Sequence, residues 1–150
     1  MGTPYATVFD AFFSKVQDSL FLSMDKGERE IELTYLLNQA IPLFLYPKVD
    51  LDDRDDALEQ FNVTLSSAEI QILSEIMKLR WLEQKINDEN LLSQQFSDHD
   101  YRLTSQAAHL RGLLTLKRET QSLVRQMQHN YVKVKDRSPD FSGLAGGNNQ

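Results

Sequence analysis

Between residues 50 and 73 the chain reads DLDDRDDALEQFNVTLSSAEIQIL, and no other stretch limits so strongly what it can fold into. Ser66 stands three residues before Glu69, so each side chain can satisfy a backbone N–H that the first turn of a helix leaves unpaired. Ile70, Leu73, Ile76, Met77, Leu82 and Ile86 follow at helical spacing, so a long helix starts here. The pattern predicts that helix over residues 67–85, with Glu69, Glu75, Lys78, Arg80 and Lys85 on its other faces. Trp81, the single tryptophan, is expected to anchor the core. What precedes this start is a carboxylate-rich connection.

Upstream, Thr3 and Pro4 have the order of an N-cap and a first helical residue. Val8, Phe9, Phe12, Phe13 and Val16 then form an aromatic-rich apolar stripe that has to be buried in the core or at a subunit contact. Phe21 and Leu22 carry it into a turn. A second helix is predicted over residues 26–46 from Ile31, Leu33, Tyr35, Leu36, Leu37, Ile41 and Phe44. Pro42 lies inside this span, so a kink or break is expected there.

Downstream, residues 87–97 read as a broken connection holding a short helical turn. A fourth helix is predicted over residues 103–130 from Leu110, Leu113, Leu114, Leu116, Leu123, Val124 and Met127. Gly112 costs about 1 kcal/mol relative to alanine in a helix interior, so a close approach of another helix is expected there. Residues 131–135, Tyr-Val-Lys-Val-Lys, alternate like a short strand. Residues 138–150 are rich in Gly, Pro, Ser and Asn and carry too little apolar surface to fold alone. The expected organisation is a helical domain over 1–130 and an extended or disordered arm over 131–150. The fold class is all-α, a four-helix-type bundle with that C-terminal arm.

The chain is long enough, at 150 residues, to bury roughly 68 to 70% of its unfolded surface in one domain. It has no cysteine, which removes thiolate metal sites, thiol nucleophiles and disulfides and fits a reducing compartment. Sixteen basic residues against 22 acidic ones give a net charge of −6, which opposes sequence-independent binding to phosphate backbones. No apolar run approaches the roughly 20 residues of a membrane span.

Few residues suggest chemistry. Asp50, Asp52, Asp53, Asp55 and Asp56 surround Arg54, and such a cluster suits calcium, which takes hard oxygen ligands. The helix-loop-helix calcium template fails, however: counted from Asp50, the sixth position is not glycine and the twelfth is Phe61. A solvated loop leading into a short helix at residues 57–61 is the competing reading. His99, His109 and His129 make no metal-binding pair at i, i+4. Asp98 and Asp100 beside His99 suit an acid/base pair, and a helix-start loop accounts for them equally. No glycine-rich phosphate loop and no nucleophile elbow occur. No catalytic, cofactor or metal residue is therefore assigned. Arg111, Arg118 and Arg125 recur every seven residues, a polar stripe that suits solvent or a neighbouring subunit's acidic loop.

Thr3-Pro4-Tyr5, Val8-Phe9-Asp10 and Phe13, then Asp52-Asp53-Arg54-Asp55-Asp56, Gln60-Phe61-Asn62, Leu65, Glu69-Ile70-Gln71-Ile72-Leu73 and Trp81-Leu82 resemble the small head-to-tail connector proteins of tailed bacteriophages. The resemblance covers most of residues 3–130 and leaves the tail unmatched. It implies a non-enzymatic virion protein made in the host cytoplasm. Such a protein is an all-α adaptor in the neck, bound to the portal and to neighbouring neck or tail proteins. It implies a homo-oligomeric ring, commonly twelve-fold, through which DNA passes without specific binding during genome ejection, with no membrane and no cofactor. The residues expected at contacts are Asp52, Asp53, Arg54, Asp55 and Asp56, the stripe Arg111, Arg118 and Arg125, and Tyr131, Val132, Val134 and Phe141 of the arm. A small acidic intracellular protein-binding module, an inhibitor or adaptor, is the other reading. A metal-dependent enzyme using residues 50–56 is a third.

Overall fold

The computed structural model describes residues 1–17, 19–95 and 100–136, with side-chain surroundings for 1–17, 21–91 and 106–133. The chain is mostly helical and carries one small sheet. In order it forms β1 (Thr3–Pro4), α1 (Tyr5–Phe13), α2 (Ser19–Ser23), α3 (Lys26–Ala40), a 3-10 turn (Ile41–Leu43), β2 (Arg54–Asp55), β3 (Gln60–Phe61), α4 (Ser67–Gln95) and α5 (Asp100–Asp136).

α4 is the centre of the molecule, packing against α1, α3 and α5. Its start is the expected capping box: the Ser66 N–H donates to Glu69 Oε1 at 2.8 Å and the Glu69 N–H to Ser66 Oγ at 3.3 Å. The aromatic stripe of α1 goes into the core, where Val8, Phe9, Phe12 and Val16 are buried and Phe12 and Phe13 meet the Phe21 ring edge-on. The α3 helix ends at Ala40 and the chain tightens into the 3-10 turn that holds Pro42, as a proline that cannot donate requires. Trp81 packs part-buried against the core.

Several expectations are overturned, each for a physical reason. Thr3 does not cap α1 by its side chain; Pro4 takes the N-cap position. Thr3 instead pairs in β1 with Phe61, and its Oγ1 accepts the Leu65 N–H at 2.8 Å. Residues 57–61 are not helical but form the turn and second strand of a hairpin, with β3 lying between β1 and β2. Glu59 takes φ of 50° in that turn. Gly2 belongs to the same junction: a Cβ there would meet the Phe61 carbonyl oxygen at 1.8 Å, so only glycine lets β1 lie this close to β3.

On α3, Leu33, Leu36, Leu37 and Ala40 make the buried stripe, while Ile31 and Tyr35 are 74% and 52% exposed. Tyr35 lies about 200° from Leu33 and Leu37 around the helix, and Ile31 about 200° from Leu33 and 240° from Leu37, so neither shares their face. Glu69 and Glu75 of α4 are buried, contrary to expectation. The second is held by Lys15 at 3.4 Å and Lys78 at 3.8 Å.

The connection expected at residues 87–97 is largely helix, because α4 runs to Gln95. The strand expected at residues 131–135 is instead the last turn and more of α5. Val124, Gln128 and Tyr131 are buried at helical spacing, and that packing outweighs the local alternation. A Cβ at Gly112 would meet nothing within 4 Å, so among the described residues nothing packs closely there. Contacts between Glu69 and Tyr131 at one end and Glu89 and His109 at the other make α4 and α5 an antiparallel hairpin.

Candidate functional site

The acidic stretch proves to be an architectural hairpin in which nearly every carboxylate has a structural task. Asp50 Oδ1 accepts the Asp52 N–H at 3.0 Å. Asp53 is joined to Asn62 twice, the Asn62 side chain donating to Oδ1 and its N–H to the Asp53 carbonyl, both at 2.9 Å. Asp55 Oδ1 accepts the N–H groups of Ala57 and Leu58 at 3.0 and 3.1 Å, a turn that aspartate makes readily. Asp56 Oδ1 accepts from the Tyr5 hydroxyl at 2.6 Å. Burial, and then this carboxylate, push the Tyr5 hydroxyl pKa upward. Arg54 lies between Asp56 at 3.7 Å and Asp52 at 3.9 Å. Among the described residues no group of three or more His, Asp or Glu side chains is arranged to hold a metal ion.

Tyr131 is likewise a core residue and not part of an arm. Its hydroxyl donates to Glu69 Oε2 at 2.9 Å and accepts the Lys48 N–H at 2.8 Å. The ring meets Phe44 edge-on at 5.2 Å, and Lys48 Nζ sits 4.6 Å from its centroid. Burial pushes the hydroxyl up to about 12, with Glu69 adding and the Lys48 N–H opposing. One turn earlier, Gln128 accepts the Leu45 N–H and donates to the Leu43 carbonyl. Together Gln128 and Tyr131 fasten the 43–48 loop to α5. A cavity of about 550 Å³ opens beside Tyr131, between Ala68 and Ile72 of α4 and Met127 of α5.

Arg111, Arg118 and Arg125 lie exposed along α5, and among the described residues none of them has an ion-pair partner. Among the described residues no ion pair joins the stripe to the acidic hairpin. Arg125 and the exposed Val132 do come together with Leu45 and Tyr46 around a depression of about 300 Å³. The side chain of Val134, and Phe141 altogether, lie outside the described residues, as does the His99 loop.

Comparison with protein-family models, curated proteins and solved structures finds no match. No helix among the described residues is long and apolar enough to cross a membrane. Sequence reasoning missed the buried Glu69–Tyr131 pair, whose partners are 62 residues apart. It also missed the exposed Leu45–Tyr46 patch, where Tyr46 takes the left-handed φ of 54°.

Proposed function

We propose that this chain is a structural virion protein of a tailed bacteriophage, one subunit of an oligomeric ring in the neck that joins the portal to the tail and lets DNA pass. The observation that carries the reading is the far half of the α4–α5 hairpin. No described side chain between residues 87 and 119 is buried, yet Leu110, Leu113, Leu114 and Leu116 lie half-buried there. Two helices cannot enclose an apolar stripe by themselves, so neighbouring copies in a ring complete it. α5, with 37 residues, is about 55 Å long, a suitable stave for such a ring.

The resemblance of residues 3–130 to head-to-tail connectors supports the same role. So does the net charge of −6, since an acidic lumen repels phosphates and keeps DNA from sticking. In this reading α1, α3, α4 and α5 make the four-helix-type body. The portal contact is assigned to the segment after Asp136, Phe141 included, and Arg111 and Arg118 face neighbouring subunits. Electron microscopy of portal rings mixed with the chain tests it. An added ring at one end of the portal is expected; bare portals at saturating chain concentration would overturn the proposal.

A further inference from the structure

The structure carries two exposed patches that match each other and leave each other uncovered within one copy. On α3, Ile31 and Tyr35 stand one helical turn apart, 74% and 52% exposed. Glu28 and Glu32 lie one turn before them, also four residues apart, and neither carboxylate meets a cation among the described residues. Where the 43–48 loop meets α5, the depression of about 300 Å³ is lined by Leu45 and Tyr46 of the loop and by Arg125, Gln128, His129 and Val132 of the helix. Arg125 and His129 are again four residues apart, so the acidic pair on α3 and the nitrogen-bearing pair on α5 both repeat at about 6 Å. α3 and α5 each pack against α4, and within one copy neither patch covers the other: Leu45 and Tyr46 are 56% and 80% exposed.

Single exposed apolar side chains need no explanation, but paired ones rimmed by charge mark contact sites. We infer that α3 of one copy docks along α5 of the next, Ile31 and Tyr35 entering the Leu45–Tyr46–Val132 depression while Glu28 and Glu32 face Arg125 and His129. The occupant is a second copy because both halves of the match, apolar and charged, belong to this one chain. A contact between two different patches is head-to-tail, and it closes into a ring when the rotation allows. The inference rests on the reading of the chain as an assembly subunit and specifies which surfaces assemble it.

The absence of cysteine makes the test clean. Tyr35→Cys and Val132→Cys chains, one carrying a mass tag, are mixed, oxidised and resolved by mass, with the native mass recorded on the same sample. The mixed 35–132 pair is expected to exceed either like pair about tenfold. Arg125→Glu should lower that yield about tenfold, and Glu28→Arg with Glu32→Arg on the other chain should restore it. Equal yields of mixed and like pairs, or no pair, would overturn the inference. If an oligomer forms without the 35–132 pair, this interface is wrong while the assembly reading survives.

Discussion

Replacing Tyr131 with phenylalanine removes one oxygen and tests how the 43–48 loop is held to α5. The ring stays against Phe44, so the apolar contact is kept and only two hydrogen bonds go. One leaves Glu69 Oε2, on a carboxylate only 3% exposed, without its donor. A hydrogen bond to a charged group contributes about 1.5–3 kcal/mol. The other leaves the Lys48 N–H, on an exposed residue that water can reach, at a cost nearer 0.5 kcal/mol. The adjacent cavity admits water to Glu69 and trims the first figure toward its lower end. The expected loss is about 2 kcal/mol, a large part of a typical 5–15 kcal/mol stability. Urea unfolding at neutral pH reads it as a midpoint lowered by about 1 M at unchanged slope. A loss under about 0.5 kcal/mol would show that these hydrogen bonds do not anchor the loop.

Gly2→Ala should destabilise the chain by more than 1 kcal/mol, because its Cβ meets the Phe61 backbone oxygen at 1.8 Å and one of two backbones must move; an unchanged melting temperature would contradict the β1–β3 pairing. Gly112→Ala should do the reverse, gaining up to about 1 kcal/mol, since the position is helical with open space around it; calorimetry showing a loss would mean that something packs there. Alkaline stability follows from the two tyrosines. Tyr131 is raised from 10.0 to about 12 and Tyr5 moves the same way, so the folded state holds protons that the unfolded chain releases near pH 10. Their contribution is present below pH 10 and lost as pH climbs toward 12. The melting temperature should fall steeply over that window and less so in Tyr131→Phe, and a flat profile through pH 11 would contradict it.

The parts of this fold that were legible in the sequence are those decided by neighbours along the chain. The Ser66–Glu69 box, the break at Pro42 and the α1 stripe each involve residues within one or two turns. The acidic hairpin was not legible, because its strand partner is Thr3–Pro4, more than fifty residues away. Five aspartates look the same whether they solvate a loop or cap its turns. The ordinary habit of carboxylates points Glu69 and Glu75 outward; the Ser66 N–H and Tyr131 hold the first in the core, and Lys15 and Lys78 the second. Tyr131 itself had two competing periods: alternation with residues 132–135, and the i, i+4, i+7 series from Val124 that the core selected. Truncation before Tyr131 would thus cut into the core, so an arm-deletion variant should begin after Asp136. As for the site, residues 52–56 drew attention as chemistry and turned out to hold a turn. The α3 patch is hidden in the sequence because Ile31 and Tyr35 stand among the apolar residues of the same helix, and only the packing separates them from Leu33, Leu36 and Leu37.

The most direct test of the central claim is the native mass of the purified chain, alone and then mixed with a portal ring. The account predicts a closed assembly of many copies, twelve in the simplest case, either free or seated on the portal. A chain that stays monomeric and leaves the portal's mass unchanged would contradict it and direct attention to a single protein partner for the acidic helical body.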